Sequence, residues 1–338
     1  MIGLKYYYTV LLRRRVLPVC LLITGIVAMS CGKSTATETG SGNQQPTDTL
    51  INKPALSGRL VYHSYSCYEC NDSGIMMYDF ATNAQTVLSA QWNIRNPMNA
   101  HFSPDGKKIV FMGIDPATDQ WDIFIWSIGD AAQPANLTAG LTKSRNEDPK
   151  FSEDGASVIF KSRGKLTRMD TLGNVIAQYN VPDKEASMPY FIHNDQYILY
   201  AAGNSGISSI YGYHIGDAAV STLYSAAGIY AYYPIAMNDS SFIFTRWFSA
   251  SNHHDQLYTG YLNAKSAVAL PFNEPSGDYS DAYPIDSRYL FLSSTRSGSK
   301  GGYDIYIADI HTGAIWSMDL YNTALNTKDN ELGACYHE

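Results

Sequence analysis

The chain has 338 residues, 45% apolar and 16% charged, so it has enough apolar content for a large core and too little charge for a disordered protein. It holds 24 basic and 31 acidic residues, and four of the basic residues precede position 31. The rest of the chain is therefore acidic, which excludes nucleic acid as a predicted partner because phosphate binding requires a positive surface. The 26 tyrosines and the β-branched runs favour strands.

Residues 1–30 are predicted to be a signal peptide of the lipoprotein type. Basic residues precede the 14-residue apolar stretch 16–29, which is too short for a comfortable transmembrane helix. The stretch leads into AMSC, which resembles a bacterial lipobox in which Cys31 is lipidated and becomes the mature N-terminus. Cleavage without lipidation and an uncleaved anchor are the alternatives.

A lipid on Cys31 would attach the mature protein to a membrane. The next residue is Gly32 and not Asp, which in lipoproteins favours the outer membrane, facing the periplasm or the cell surface. Residues 31–57 are rich in Ser, Thr, Gly, Gln and Pro and have little to bury, so they are predicted to form a flexible tether. The folded domain is then expected over residues 58–338.

From residue 58 onward the chain repeats one pattern of short strands. An apolar strand runs into a turn, as in HFSPDGKKIVFMG from His101 and KFSEDGASVIFKS from Lys150. The Asp-Gly pair supplies the positive φ values of a tight hairpin. The second strand is continuously apolar, which is typical of a strand covered on both faces. Third and fourth strands follow, and the unit recurs every 40 to 50 residues, as its leading prolines show: Pro149, Pro189, Pro234 and Pro284.

The two ends of the repeating region complement each other. Residues 58–89 supply a second, third and fourth strand without a first, and residues 329–338 resemble the first strand at 146–155. The C-terminal strand is therefore predicted to complete the N-terminal unit and close a ring of six, which leaves no long sheet edge exposed. The predicted fold class is all-β, a six-bladed β-propeller.

This pattern resembles the TolB-type six-bladed propeller built from WD40-like repeats. Its signature P-x-F-S-x-D-G-x-x-I-x-F is matched by residues 149–160, and RSGSKGGYDIYIAD at 296–309 resembles the stretch between its second and third strands. The turns His193-Asn194-Asp195 and Asn238-Asp239 depart from the Asp-Gly pattern. The resemblance covers residues 58–338 and implies the fold. It does not imply a role in the Tol envelope system, because TolB carries an additional N-terminal α/β domain with no counterpart in this sequence.

The sequence lacks the motifs of serine peptidases and of nucleotide-binding proteins. Serine peptidases that carry such propellers need a hydrolase domain with a G-x-S-x-G elbow, and the sequence contains no such elbow. No nucleotide-binding glycine loop follows a predicted strand.

The cysteines of the folded region predict structural roles. Cys67 and Cys70 form a C-x-x-C pair, for which an exported protein favours a local disulfide, with a pair of reduced thiols as the alternative. Cys335 aligns with Phe102 and Phe151 in the repeat and is predicted to be a buried thiol.

One short stretch is a candidate metal site. His253, His254 and Asp255 are adjacent, and some propeller lyases that cut oligogalacturonate hold a divalent metal with histidines in the pore. The alternative is a structural role, because Asp255 aligns with Asp122 and Asp304 at the start of third strands. No other cofactor is predicted.

Charged and aromatic side chains are predicted to gather at one rim of the ring. Arginines follow the second strands of three units, and acidic residues lie where first strands begin. The alternative is that the arginines tie neighbouring blades together and the aromatic rings pack between blades. The candidate ligand-binding residues are Arg163, Arg246, Trp247, Arg296, Asp148, Asp281 and Tyr283.

The predicted function is non-catalytic. The chain is expected to be a monomeric envelope lipoprotein whose propeller binds a protein or glycan partner through one rim. The alternative is a metal-assisted polysaccharide lyase, or another carbohydrate-active propeller enzyme, with His253, His254 and Arg246 in the pore. A scaffold without a small ligand is a third interpretation.

Overall fold

A computed structural model describes residues 53–141, 145–181, 185–204 and 207–338; the predicted signal peptide, Cys31 and the tether up to residue 52 lie outside these ranges. Within them the chain forms six four-stranded antiparallel sheets, the blades of a propeller. Blades 1 and 2 contain β1 (Arg59–Tyr65), β2 (Gly74–Asp79), β3 (Ala84–Val87), β4 (Arg95–Phe102), β5 (Lys108–Asp115), β6 (Gln120–Ser127) and β7 (Ala135–Asn136).

The later blades follow in chain order. Blade 3 contains β8 (Asn146–Phe151), β9 (Ser157–Ser162), β10 (Lys165–Asp170) and β11 (Val175–Tyr179). Blade 4 contains β12 (Ala186–Ile192), β13 (Tyr197–Asn204), β14 (Ile207–His214) and β15 (Ala219–Tyr224). Blade 5 contains β16 (Ala231–Asn238), β17 (Ser241–Ser249), β18 (Asn252–Tyr261) and β19 (Ala264–Ala269). Blade 6 contains β20 (Tyr279–Pro284), β21 (Tyr289–Ser294), β22 (Asp304–Asp309) and β23 (Ile315–Ser317), and β24 (Asn330–His337) returns to blade 1.

Strand β24 closes the ring. It pairs antiparallel with β1, from Arg59 opposite His337 to Tyr65 opposite Asn330, so the C-terminus supplies the innermost strand of blade 1. The innermost strands of neighbouring blades contact one another around the whole circle. The predicted six-bladed propeller and its closure are therefore confirmed.

The apolar core lies between the sheets. The second strand of each blade is buried on both faces, as its continuous apolar sequence predicts, and Phe111 on β5 and Phe160 on β9 are fully buried. Core clusters join blade 2 to blade 3 and blade 6 to blade 1, among other neighbours. The outermost strands are more exposed, as Val268 on β19 shows. No helix in the described ranges is long and apolar enough to cross a bilayer.

The same irregularity interrupts the innermost strand of every blade. On β8 the register with β9 slips between Glu147 and Lys150, which marks a β-bulge. One residue in each bulge has a left-handed backbone, with φ between +49° and +66°. We call these six residues the bulge ring: Gly333, Asn99, Asp148, Met188, Tyr233 and Asp281.

The bulges correct two details of the sequence alignment. The residue that follows the bulge is Ala or Pro in every blade, and in blade 6 it is Ala282, so Pro284 is not the counterpart of Pro149. Cys335 lies two residues after Gly333, which makes it equivalent to His101 and not to Phe102. This one-residue difference matters because successive side chains of a strand point to opposite faces.

Candidate functional site

The innermost strands of all six blades enclose one central cavity. It has a volume of about 60 Å³, which is room for roughly four water molecules. The bulge ring forms its wall on the side where the innermost strands begin, which we call the mouth face. The hairpins between first and second strands lie on the opposite side, the turn face.

A second ring of side chains lies two residues further along each strand. We call it the floor ring: Cys335, His101, Lys150, Tyr190, Ile235 and Tyr283. The imidazole of His101 from blade 2 lies with its centroid 6.2 Å from the rings of both Tyr190 in blade 4 and Tyr283 in blade 6. Three aromatic rings from alternate blades therefore converge within the channel.

Lys150 brings a positive charge to the centre of the channel. It belongs to blade 3, and yet its charge influences the pKa of His63 and Cys335 in blade 1 and of Asp281 in blade 6. Its Nζ donates one long hydrogen bond, 3.4 Å, to the carbonyl oxygen of Pro149. Within the described residues it has no carboxylate oxygen within 4.0 Å. The half-buried Lys150 thus lines the channel with donors to spare.

Two buried histidines flank the channel in neutral form. Burial, reinforced by the charge of Lys150, lowers the pKa of His63 to about 3 and that of His101 well below its usual value. His63 lies against Gly333, where a β-carbon would approach its Nδ1 to 2.6 Å. Nδ1 of His101 accepts the backbone N–H of Phe151 at 3.4 Å, so the proton of the neutral ring is on Nε2. This Nε2 is buried and has no hydrogen-bond partner.

Two carboxylates face these donors from the bulge ring. Asp148 accepts a hydrogen bond from Nδ2 of Asn99 at 2.8 Å, which links blades 2 and 3. Asp281 accepts the backbone N–H of Gly333, which links blades 6 and 1. Burial raises the pKa of both carboxyl groups, to about 6 for Asp281, against the opposing effect of Lys150. The two carboxylates are therefore incompletely compensated.

Cys335 is a buried free thiol, as predicted, and its Sγ accepts the backbone N–H of Phe102 at 3.3 Å. Burial raises its pKa to about 11, which keeps the thiol protonated. Cys67 and Cys70 form a disulfide within the loop between β1 and β2 on the mouth face.

The rim arginines do not form a ring with these acids. Arg246 donates to the carbonyl oxygens of Trp247 and Phe248 and lies over the ring of Tyr258. Arg296 pairs with Glu274 in the connection from blade 5, at 2.6 Å. Arg163 is exposed in the turn between β9 and β10. Of the predicted rim residues, the structure brings Asp148, Asp281 and Tyr283 together in the channel and leaves the arginines and Trp247 outside it.

The candidate metal ligands point to separate partners. The ring of His253 stacks on Trp247 at 3.8 Å, whereas Nδ1 of His254 lies 3.3 Å from Asp278. Asp255 is buried and hydrogen-bonded to Tyr232. Adjacent residues of a strand alternate between its faces, so His254 points away from its two neighbours and the three side chains have separate partners. Nowhere in the described ranges are three or more His, Cys, Asp or Glu side chains grouped to hold a metal ion.

Blade 5 carries an aromatic patch on the mouth face. Strands β17 and β18 have 9 and 10 residues, and their hairpin tip presents Phe248, a residue that is 41% exposed. Trp247 packs its ring against that of Tyr230, with centroids 4.6 Å apart, and donates its backbone N–H to the backbone carbonyl oxygen of Tyr230. Tyr230 in turn bridges to Ser208, next to Ile207, which is 43% exposed. We call Ile207, Tyr230, Trp247 and Phe248 the rim patch.

The sequence interpretation did not single out Lys150, His101 or Asn99. The available signal was positional, because each occupies a fixed place in the repeat where the other copies carry different residues. The bulge that turns those places toward the channel has no residue signature of its own, since Gly, Asn, Asp, Met and Tyr all occupy it.

No family model and no curated protein matches the chain. Among solved structures, TolB from Acinetobacter baumannii is similar at 14% identity and a TM-score of 0.63, over 84% of this chain and 67% of that one. A putative TolB from Agrobacterium tumefaciens is similar at 12% identity and a TM-score of 0.56, over 84% of this chain and 100% of that one. Hydrazine synthase from Kuenenia stuttgartiensis is similar at 16% identity and a TM-score of 0.67, over 86% of this chain, which spans about half of that one (48%). The chain therefore has a TolB-like six-bladed propeller fold.

Proposed function

We propose that this protein is a non-catalytic binding protein whose propeller binds a protein partner through the rim patch of blade 5. The observation that carries the proposal is the exposure of Phe248 and Ile207 on one hydrogen-bonded row of residues. Exposed apolar side chains gathered at one place on a rigid frame mark interaction surfaces. Aromatic residues are enriched at the centres of protein interfaces.

The packing of the patch favours a protein over a glycan. A sugar would need an open aromatic face, but the indole of Trp247 already stacks on His253 at 3.8 Å and packs against Tyr230. The most exposed groups are instead the phenyl ring of Phe248 and the aliphatic Ile207, which suit an apolar contact with another protein.

We also propose that the binding domain is presented from a membrane through a lipid on Cys31, in the bacterial envelope. The sequence supports this through the basic, apolar and AMSC segments of residues 1–31. Metabolic labelling with an alkyne fatty acid should mark the full chain and fail with Cys31→Ser. Equal labelling of the variant would reject the anchor.

The partner can be tested by site-specific photo-crosslinking of the full chain in its native envelope. A benzoylphenylalanine at position 248 should give a discrete protein adduct, and the same group at position 268 should not, although Val268 is 57% exposed on the same blade. Adducts of equal yield at both positions, or none at 248, would refute the rim patch. Binding to purified glycan strands with no protein adduct would instead indicate a glycan partner.

A further inference from the structure

The channel contains hydrogen-bond donors that the described structure satisfies only in part. His101 is 8% exposed and lines the cavity, and its protonated Nε2 has no partner. The ammonium of Lys150 has one acceptor, at 3.4 Å, for three N–H groups. A buried donor without a partner is costly, and the Nε2 of His101 beside the half-buried ammonium of Lys150 creates a place for an anionic oxygen pair.

The channel also contains acceptors that lack a cation. Asp148 and Asp281 face the same cavity from the bulge ring, and each has a neutral hydrogen-bond donor in place of a close positive partner. Burial raises the pKa of both carboxyl groups, although Lys150 lowers both and Lys161 also lowers that of Asp148. A ligand that brought only negative charge would add to this imbalance. The ligand must therefore carry a positive group as well.

We propose that the channel binds a small α-amino acid as a zwitterion. Its carboxylate would accept from Lys150 Nζ and His101 Nε2, and its ammonium group would donate to Asp148 and Asp281. Side chains two residues apart on a strand are separated by roughly 7 Å, so one compact molecule reaches both rings. A cavity volume of about 60 Å³ suits a ligand as small as glycine or alanine.

The bulges explain why such a site can exist here. Five non-glycine residues adopt a left-handed backbone around one cavity, a conformation that is unfavourable for Met and Tyr. Strained positions of this kind persist where the surrounding structure holds them, and they concentrate at binding sites. The site is separate from the rim patch, so the two proposals stand or fall independently.

The test is titration of the full-length purified protein with glycine, followed by calorimetry and thermal melting. Glycine should bind with a dissociation constant in the micromolar to millimolar range. Acetate alone and methylammonium alone should each bind about tenfold more weakly or worse, because each satisfies one ring. Phenylalanine should not bind, since it exceeds the cavity.

Substitutions in the floor ring and in the bulge ring test the carboxylate-binding and the ammonium-binding parts of the site one at a time. Lys150→Met and Asp281→Asn should each weaken glycine binding by about tenfold or more. Lys165→Met removes an exposed lysine of the same blade and should leave binding unchanged. Phe248→Ala should also leave it unchanged. Circular dichroism and melting curves identify any variant that fails to fold, and His101→Phe then provides a second test of the donors in the floor ring.

Three results would overturn the proposal. One is no binding of glycine or alanine up to about 50 mM, well above the expected range. Another is acetate binding as tightly as glycine with no effect of Asp281→Asn, which would describe a plain anion site. The third is full glycine binding in folded Lys150→Met and His101→Phe.

Discussion

The two ends of the innermost strands follow opposite rules. At the turn face of blades 2 and 3 the side chains repeat with the backbone: Ser103 donates to Asp105 at 2.7 Å and accepts the Lys108 N–H at 2.9 Å, and Ser152 makes the same pair of bonds. At the mouth face the backbone bulge repeats in all six blades of the described chain, but the side chains differ.

The contrast shows how to separate structure from function in a repeat protein. Where side chain and backbone repeat together, the residues hold the turn. Where the backbone repeats and the side chains diverge, the frame presents different chemistry at each position, which is the expected pattern of a binding site on a symmetric scaffold. Substitutions at the two ends should therefore change the free energy of unfolding by different amounts and in different directions.

The largest effect is expected from Gly333→Ala in the bulge ring. The new methyl group would meet His63 at 2.6 Å in a backbone with φ of +66°, so we expect a loss of about 3 kcal/mol in the free energy of unfolding. Gly298→Ala is the control, because its φ of +94° carries the backbone cost with nothing within 4 Å, and it should lose about 1 kcal/mol. Equal losses in urea titrations would show that His63 can move aside.

The next largest effect on stability is a gain, expected from Asp281→Asn. The pKa of Asp281, about 6, lies above that of a free Asp, so the folded protein holds a proton that the unfolded chain releases. Its contribution to stability is therefore full below about pH 4 and declines as the pH rises through about 6. Asp281→Asn should be more stable than wild type by roughly 2 kcal/mol at pH 7.5, with little difference at pH 4.

A carboxylate at the turn face provides the contrast. Hydrogen bonds from Ser152 and the Ala156 N–H lower the pKa of Asp154, so its contribution is present at neutral pH and lost as the pH falls below about 4. Asp154→Asn should therefore be destabilised at neutral pH. If both variants changed stability with the same sign at pH 7.5, the distinction between the two ends would fail.

The fold could be predicted because turns and buried strands leave residue signatures. Ser152, Asp154 and Gly155 recur with their spacing in blade 2, and the mismatched ends at 58–89 and 329–338 indicated closure. The site could be predicted only in part. Asp148, Asp281 and Tyr283 were placed near one mouth of the ring, but their convergence with Lys150 depends on a bulge that many residue types occupy.

The partners of the rim arginines were harder to predict from the sequence, for a different physical reason. A sequence shows that Arg246 and Arg296 follow second strands, but it does not show what lies beside them. Arg246 is held by carbonyl oxygens and tyrosine rings, and Arg296 by Glu274 from the preceding connection. These partners come from loops without a repeat, so only the three-dimensional structure shows that the two arginines hold the rim together.

A smaller loss is expected from Ser152→Ala at the turn face. The hydroxyl is fully buried, donates to Asp154 and accepts the Ser157 N–H at 2.9 Å, so its removal leaves a buried donor without that acceptor. We expect a loss of about 1 to 2 kcal/mol. Ser240→Ala, in the exposed turn of blade 5, should change stability by less than about 0.5 kcal/mol. A neutral Ser152→Ala would mean that the turn needs only its backbone.

The smallest effect on stability is expected from Phe248→Ala, and that is what makes it informative. The ring is 41% exposed at a hairpin tip, so its removal should change the free energy of unfolding by less than about 0.5 kcal/mol. The same change should reduce partner capture at the rim patch several-fold, whereas Val268→Ala should reduce neither stability nor capture. We expect the mouth face, unlike the turn face, to contain residues that contribute to binding and not to folding. If Phe248→Ala destabilised the domain by more than about 2 kcal/mol, the ring would belong to the packing of blade 5 and the rim patch would lose its basis.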